Sequence, residues 1–196
     1  MKRITKLAGV LGAIAAAAAL SLAGTGIARA DVQPSAGPWA EIFNPYIHSQ
    51  GITLCVDDPN NSSADRQSLQ LWRCHGYASN GAPQRWVFVN SGAAEFPMYQ
   101  IHIQTASSTN CIGMVKPLAA ANSIVLENCS APATDWFLLP IDQSNPNSDF
   151  QLQNELSAFH SPGLCVAADT FLDVNGNRLL GEPCDRYNTS QLWNLG

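Results

Sequence analysis

Basic side chains are scarce in this sequence. It contains 10 lysines and arginines against 15 aspartates and glutamates, and charged residues make up 13% of the chain. Four of the basic residues lie in the first thirty positions, and the other six are scattered from Arg66 to Arg186 without a run. A protein that binds a phosphate backbone needs clustered lysine and arginine. The sequence therefore predicts no nucleic-acid partner.

Recognisable catalytic and metal-binding motifs are also absent. There is no Gly-x-Ser-x-Gly, no phosphate-binding loop and no His-Glu-x-x-His. Four histidines stand far apart, none at metal-ligand spacing from another histidine or a cysteine: His48, His75, His102 and His160. Residues 173–177 resemble part of a calcium loop, but the glycine comes too early and no glutamate closes it, so a hairpin turn explains them better. We expect no metal and no cofactor.

Long apolar runs are confined to the N-terminus. Lys2, Arg3 and Lys6 precede an alanine-rich stretch from Leu7 to Ile27, and Ala28-Arg29-Ala30 follows it. This pattern is typical of a secretory signal peptide over residues 1–30. The stretch is long enough to span a bilayer as an anchor, but its glycines and its small-residue cleavage pattern favour removal. We expect a secreted, extracellular protein with no membrane span after cleavage.

Removal of residues 1–30 would leave six basic residues against fifteen acidic ones, a net charge of −9. The remaining 166 residues suit one ordinary domain. Residues 31–40 contain prolines and read as a short lead-in, with the domain over residues 41–196. All six cysteines lie in this exported part, where an oxidising compartment permits disulfides.

The cysteines form three pairs of nearly constant spacing, 19, 18 and 19 residues, and the first cysteines of successive pairs are 56 and 54 residues apart. The pairs are Cys55 with Cys74, Cys111 with Cys129, and Cys165 with Cys184. Such a period indicates an internal repeat, with copies at about residues 41–93, 94–143 and 144–196. Six cysteines permit fifteen connectivities, and the repeat favours the local one, so we predict a disulfide within each pair.

Each copy also ends on a tryptophan. The closing segments are Gln84-Arg85-Trp86, Thr134-Asp135-Trp136 and Gln191-Leu192-Trp193. One copy of this size cannot bury enough apolar surface to be stable alone, whereas three can share a core. We predict that Trp86, Trp136 and Trp193 occupy that core.

Apolar residues alternate ahead of the second cysteine of each pair. Leu69 and Leu71 do so in the first copy and Ile124 and Leu126 in the second, while the third copy has Leu179 but then a glycine. This period of two is typical of strands. Residues 41–43, 99–103 and 150–153 open the copies in the same style, and turn residues at 57–61 and 175–177 separate the strands. No helical stripe is present, so the sequence predicts an all-β protein.

These features together resemble the ricin B-type lectin family. The resemblance rests on the three cysteine pairs and on the closing Gln-x-Trp, which is intact in the first and third copies and replaced by Thr134-Asp135-Trp136 in the second. It covers essentially the whole chain after residue 41. The fold that it implies is a β-trefoil, with twelve strands in three pseudo-symmetric lobes.

The resemblance also implies a shallow sugar pocket in the first copy. Asp57, two residues after the first cysteine, would accept hydrogen bonds from two hydroxyls, and Trp72, two before the second, would stack on the sugar ring. Gln70 and Gln84 would supply further polar contacts, and Asn80 would replace an asparagine whose position is taken by Pro83. A carboxylate and a flat aromatic suit the vicinal hydroxyls and the apolar face of a sugar. The alternative is a solvated turn aspartate and a core tryptophan.

The other two copies do not retain this set. The positions of Asp57, Gln70 and Trp72 are taken by Gly113, Val125 and Glu127 in the second copy and by Ala167, Leu180 and Glu182 in the third. A glutamate cannot stack on a sugar ring, so we predict no such site in either copy. Asp169, two residues after the position that corresponds to Asp57, is a secondary candidate for that role in the third copy. His75, which follows Cys74, could edge the pocket of the first.

Three function classes follow. The first is a secreted carbohydrate-binding protein with a glycan or polysaccharide as its partner and one site in the first copy. The second is a trefoil that has lost sugar binding and serves as a protein-binding or toxin-accessory subunit. An enzyme is the least favoured, because three lobes use the whole exported chain and leave no residues for a catalytic domain.

Overall fold

The structure, a computed structural model, describes residues 39–49, 51–62, 64–76, 82–92, 97–104, 109–145, 148–170 and 174–196. The twelve strands are β1 (Ile42–Ser49), β2 (Ile52–Asp57), β3 (Gln70–Arg73), β4 (Trp86–Asn90), β5 (Met98–Ile103), β6 (Asn110–Met114), β7 (Asn122–Asn128), β8 (Asp135–Pro140), β9 (Phe150–Asn154), β10 (Leu164–Ala168), β11 (Asn177–Pro183) and β12 (Asn194–Leu195). The helices are α1 (Glu155–Ala158) and three 3₁₀ helices, Pro59–Asn61, Ala82–Gln84 and Thr189–Gln191. The predicted signal peptide lies outside the described residues. Within them, no helix is long and apolar enough to cross a membrane.

Four strands fall in each third of the chain, and we call these thirds the first lobe (β1–β4), the second lobe (β5–β8) and the third lobe (β9–β12). Strand pairs β4–β5, β8–β9 and β1–β12 join successive lobes. Within the lobes, β5 pairs with β8, and the bridges Ala40–Trp86 and Phe150–Trp193 connect the corresponding strands. The remaining strands form one hairpin per lobe, β2–β3, β6–β7 and β10–β11. This is a β-trefoil, and the predicted all-β fold class is confirmed.

The closing tryptophans lie in the shared core, as predicted, and none has any exposed surface. A buried indole N–H needs an acceptor. Each one donates to the carbonyl of the residue after the first cysteine of its own lobe: Trp86 to Val56 at 3.1 Å, Trp136 to Ile112 at 2.8 Å, and Trp193 to Val166 at 3.0 Å. The tryptophan therefore fixes the hairpin of each lobe to the barrel beneath it.

All three predicted disulfides are present. They join Cys55 to Cys74, Cys111 to Cys129 and Cys165 to Cys184. In each lobe the bond ties the first hairpin strand to the residue directly after the second. A cross-link that closes a loop of this length stabilises a fold by about 3 kcal/mol in the chain-entropy model. Each hairpin is thus held at its base by its own disulfide.

The hairpins also contact one another in a ring. Near its tip, the third-lobe hairpin pairs with β3 of the first lobe, with Arg178 opposite Gln70. The second-lobe hairpin pairs in the same way with the third lobe, Ser123 opposite Leu180, and a bridge from Ser68 to Val125 joins the first lobe to the second. We call these three contacts the hairpin seams.

Candidate functional site

Strand β3 presents two different faces. Leu71, like Leu69 just before the strand, is fully buried, whereas Gln70 is half-buried and Trp72 is 36% exposed. Successive side chains of a strand point to opposite faces, so the leucines enter the core and the glutamine and tryptophan point outward. The alternation that predicted the strand also separates its structural side chains from those that can meet a ligand.

Asp57 ends β2 directly opposite Gln70. Only 5% of its surface is exposed. One carboxylate oxygen, Oδ2, accepts a hydrogen bond from Nε2 of Gln70 at 2.9 Å, and Oδ1 accepts one from Nε2 of Gln84 at 3.1 Å. Because an ionised carboxylate has about four acceptor positions, both oxygens can still accept bonds from a ligand.

Burial raises the pKa of Asp57 above its ordinary value of 3.8, because desolvation disfavours the charged form. The hydrogen bonds from Gln70 and Gln84 and the nearby charge of His75 act in the opposite direction. The site thus holds a carboxylate in a partly dry environment, where hydrogen bonds to it are stronger than in water.

A pocket of about 480 Å³ opens over this carboxylate. Nine residues line it: Asp57, Asp58, Pro59, Asn60, Asn61, Gln70, Trp72, His75 and Pro83. Three of the residues predicted for the site, Asp57, Gln70 and Trp72, therefore come together on one wall. His75 lines the pocket too, at the edge where the sequence suggested it.

The residues after Asp57 form a wall that sequence reasoning took only for a turn. Pro59–Asn61 is a 3₁₀ helix in which Asn60 and Asn61 have positive φ angles of 64° and 50° and are exposed. Asparagine tolerates this left-handed conformation better than most residues. The successive asparagines after an Asp-Pro pair were the available signal, and they place two amide side chains at the pocket rim.

Gln84 needs a correction, since the resemblance implied that it contacts the sugar. Its side chain is fully buried and does not line the pocket. Its Nε2 donates to Asp57 and to the carbonyl of Arg73 at 3.0 Å, and its Oε1 accepts from the backbone N–H of His75 at 2.8 Å. Gln84 therefore holds Asp57 in place from behind, with none of its own surface exposed.

The third lobe shows why this glutamine is present. Gln191 is also fully buried, donates to the carbonyl of Pro183 at 2.9 Å and accepts from the N–H of Asp185 at 2.9 Å. These partners flank Cys184, as Arg73 and His75 flank Cys74. The glutamine of the Gln-x-Trp motif is thus a structural clasp on the segment around the second cysteine, and only in the first lobe does it also reach an aspartate.

Asn80 lies outside the described residues, so its predicted contact with the sugar stays a prediction. Pro83 lines the pocket, and its carbonyl accepts from the N–H of Asp58 at 2.9 Å.

Residues 43–193 match the ricin-type β-trefoil lectin domain family. The chain belongs to this family. No protein of curated function matches it by sequence.

Solved structures with the same fold are distant in sequence. The chain is similar to the designed three-fold symmetric protein ThreeFoil (TM-score 0.63, 14% identity, covering 81% of this chain and 98% of that one). It is also similar to the ricin B-like lectin of Macrolepiota procera in complex with lactose (0.59, 18%, 83% and 97%). A third is the agglutinin from Abrus precatorius (0.56, 22%, 81% and 48%). At these identities the likeness shows the fold alone.

In this ricin-type trefoil the second lobe differs from the first at the positions that form the pocket. Glu127, at the position of Trp72, is buried and lies over Gly113, the counterpart of Asp57. A Cβ added to Gly113 would come within 3.0 Å of its carboxylate. Burial raises the pKa of Glu127, opposed by the nearby charge of Arg66. The glutamate side chain therefore occupies the space directly over Gly113, where the first lobe has Asp57.

The third lobe likewise has Ala167, a buried residue, where the first lobe has Asp57. Its cross-strand partner is Leu180, also buried, where the first lobe has Gln70. A methyl group and an isobutyl group offer no hydrogen bond to a hydroxyl. The prediction that this lobe carries no family-type site stays consistent with these side chains.

Two clusters in the described residues bring possible metal ligands together: His102 with Cys111 and Cys129, and Glu41 with Cys55 and Cys74. In both, the two sulfurs belong to one disulfide. A metal needs the thiolate form of cysteine, so neither cluster supplies a ligand set.

Proposed function

We propose that this protein is a secreted carbohydrate-binding protein whose sugar site is the pocket of the first lobe. The observation that carries the proposal is the placement of Asp57 in that pocket. The carboxylate is almost fully buried, is held by two amide N–H groups, and stands beside a partly exposed indole.

The chemistry of this set matches one end of a sugar. The carboxylate of Asp57 accepts hydrogen bonds from two neighbouring hydroxyls, and charge-assisted bonds of this kind are about twice as strong as neutral ones. The exposed face of Trp72 covers the apolar C–H side of the ring. Gln70, which bonds Asp57 through its Nε2, keeps its Oε1 as an acceptor on the same wall. Together they orient the sugar as well as bind it.

The family supports a sugar as the ligand class. The similar Macrolepiota procera lectin was solved with lactose, and a lectin of Polyporus squamosus, with TM-score 0.55, was solved with a sialylated trisaccharide. We propose no catalytic activity for the pocket. One shallow site of this size would bind a monosaccharide weakly, with a Kd of about 1 mM, or about −4 kcal/mol.

A glycan array tests the proposal, with the exported chain and with the variants Asp57→Ala and Trp72→Ala. We expect both variants to lose binding by at least about tenfold, because each removes one of the two main contacts. Asp142→Ala and Tyr187→Ala are matched controls, since they remove an exposed carboxylate and an exposed aromatic outside the pocket. Circular dichroism would verify that every variant folds.

Two results would contradict the proposed sugar site. If the folded wild-type protein binds none of the arrayed sugars, the sugar site does not function, and the protein-binding role becomes the better explanation. If binding survives in both Asp57→Ala and Trp72→Ala, the site lies elsewhere.

Secretion is part of the same proposal and has its own test. It is supported by the basic start, the apolar stretch and the small residues before Asp31, and by three disulfides that need an oxidising compartment. Mass spectrometry of the protein from the culture medium should find a chain that begins at Asp31. A full-length chain that stays in the membrane fraction would contradict cleavage.

A further inference from the structure

We propose that the sugar site continues across the seam between the first and third lobes, where Arg178 and Asp169 form a second subsite for the next residue of an oligosaccharide. The inference rests on the proposed function. It assigns two residues of the third lobe to the site of the first.

The strand register places these side chains in one row. Asp57 is the partner of Gln70, and Gln70 is the partner of Arg178 on β11. Directly paired residues of antiparallel strands have their side chains on the same face. Neighbouring strands lie about 4.8 Å apart, so the row from Asp57 to Arg178 is about 10 Å long. That is longer than one pyranose ring.

Asp169 extends the row by one more strand position. Its backbone N–H donates to the carbonyl of Arg178 at 2.9 Å. Its side-chain Oδ2 accepts from Nη2 of Arg178 at 2.8 Å and from Nε at 3.2 Å. The two side chains are 66% and 31% exposed. They form an ordered ion pair in contact with solvent, beside a wall of the pocket.

This ion pair can both accept a hydrogen bond from a sugar hydroxyl and donate one to it. It uses only one oxygen of Asp169, and it uses Nε and Nη2 of Arg178, so the second oxygen and the other terminal nitrogen are not engaged by it. The oxygen of Asp169 can accept a hydrogen bond, and the nitrogen of Arg178 can donate one. Because the pair already fixes both side chains, less conformational entropy is lost when a sugar binds. An exposed ion pair contributes little to stability.

The turn of the third-lobe hairpin carries a glycine beside Gln70. Its turn is attached to β3 by hydrogen bonds from the Gly176 N–H to the Leu71 carbonyl and from the Arg73 N–H to the Asn175 side chain, both 2.9 Å. Among the described residues, a Cβ at Gly176 would have a single neighbour within 4 Å, the Oε1 of Gln70 at 3.7 Å. The absence of a side chain therefore leaves the space next to the Gln70 amide open toward Arg178 in the described part of the chain.

Glycine is not required there by the backbone alone. Gly176 has a φ of 85°, and the residues at the same place in the other hairpins, Arg66 and Ala121, also have positive φ angles, 60° and 57°. Two residues with side chains thus adopt this conformation in the same chain. The glycine occurs at the one hairpin turn that adjoins the lobe with the pocket.

The other two hairpin seams have no ion pair at the positions equivalent to Arg178 and Asp169. The position of Arg178 is taken by Ser68 in the first lobe and Ser123 in the second, and the position of Asp169 is taken by Pro59 and Val115. The polar pair accompanies the lobe that has both Asp57 and Trp72. Asp169, which the sequence offered as a secondary candidate for a site in the third lobe, is thus assigned to the site of the first lobe.

The test compares sugars of different length. An immobilised panel would carry galactose, N-acetylgalactosamine, glucose, N-acetylglucosamine and mannose, each alone and as the terminal unit of a disaccharide and a trisaccharide. We expect the wild-type protein to bind one oligosaccharide about tenfold more tightly than its terminal monosaccharide, as two added hydrogen bonds would give. Arg178→Gln and Asp169→Asn should bind the monosaccharide as the wild type does and lose most of the gain.

Lys116→Gln is the matched control, because it removes an exposed cation from the second-lobe hairpin, which pairs with the third lobe, where Ala167 replaces Asp57. It should leave both affinities unchanged. If monosaccharide and oligosaccharide bind equally to the wild type, or if the gain survives in both variants, the second subsite does not exist while the first one stands. If no sugar of either length binds, the proposed function itself fails.

Discussion

A buried carboxylate that must be charged to bind its ligand makes the site sensitive to acid. Desolvation raises the pKa of Asp57 in the folded protein above 3.8, so the folded chain takes up this proton at a higher pH than the unfolded chain does. Between those two pKa values the folded state binds more protons, and the contribution of Asp57 to the free energy of unfolding therefore falls as the pH rises. Sugar affinity changes in the opposite direction.

We therefore predict that sugar affinity decreases on acidification with a midpoint above the ordinary pKa of an aspartate. Titration calorimetry against the best sugar from the array, from about pH 7 down to about pH 3, would measure it. Asp57→Asn should bind weakly at every pH, with this transition absent. An affinity that stays constant until about pH 3.8 would show that burial does not govern this group.

Gln84 and Gln191 provide a second prediction at the scale of single residues. Each is fully buried and clasps the backbone on both sides of a cysteine. Replacement by alanine leaves buried groups unpaired, which costs about 1–3 kcal/mol. We expect Gln84→Ala and Gln191→Ala to lower the free energy of unfolding by similar amounts in urea denaturation.

Sugar affinity separates the two variants. Gln84→Ala should weaken binding, because Asp57 loses one of its two amide partners, whereas Gln191→Ala should bind like the wild type. Equal affinity in both would mean that Gln84 does not position Asp57. The sequence marked Gln84 as part of the predicted site but could not tell a supporting side chain from a contacting one, since burial depends on segments that are far apart in the chain.

At the scale of the hairpins, the absence of a side chain at position 176 is the feature that can be tested most directly. Gly176→Arg reproduces the residue found at the equivalent turn of the first lobe, Arg66, whose φ is 60°. We expect the variant to fold with a loss of about 1 kcal/mol. Its side chain should cover Trp72 and reduce the binding of oligosaccharides.

Ala121→Arg is the matched control, with the same residue introduced at the equivalent turn of the second-lobe hairpin, where φ is 57°. It should leave sugar binding unchanged, as measured on the same panel. Undiminished binding of oligosaccharides by Gly176→Arg would argue against an open path from Trp72 to Arg178.

The strands of each hairpin were predictable, and the contacts between hairpins were not. Alternating leucines such as Leu69 and Leu71 fix which face enters the core, and the cysteine spacing fixes the pairing within a hairpin. The seam pair of Gln70 and Arg178 joins residues more than one hundred positions apart. Nothing in local periodicity specifies which residue of one hairpin lies opposite which residue of another.

For the whole molecule, the set of Asp57, Gln70 and Trp72 occurs in the first lobe only, which predicts a single family-type sugar site per chain. Calorimetry should give a stoichiometry of one, and a folded monomer should not cross-link a multivalent glycan. A tandem fusion of two exported chains should bind a dense glycan surface at least about a hundredfold more tightly than one chain, provided that the linker lets both pockets engage. A stoichiometry of two or three would mean that another lobe binds sugar without this set of residues.

The trefoil as a whole could be predicted because its signals repeat. Three cysteine pairs and three closing tryptophans report the same local structure three times, and Trp86, Trp136 and Trp193 bond equivalent carbonyls. The asparagine pair at 60 and 61 has no counterpart in sequence at the same distance from the first cysteine of the other lobes. A feature without a second copy has no internal comparison to identify it.

The hairpin seams bear on how new binding sites could be engineered into this scaffold. The second lobe would need Gly113→Asp, Val125→Gln and Glu127→Trp to acquire the residues of the first. These changes would not suffice, because the charge of Arg66, in the first-lobe hairpin, acts on Glu127 from the neighbouring lobe. Arg66 also occupies the turn position that corresponds to Gly176, which has no side chain. A transplanted pocket therefore has to be designed across two lobes at once, and the natural unit of exchange is the seam.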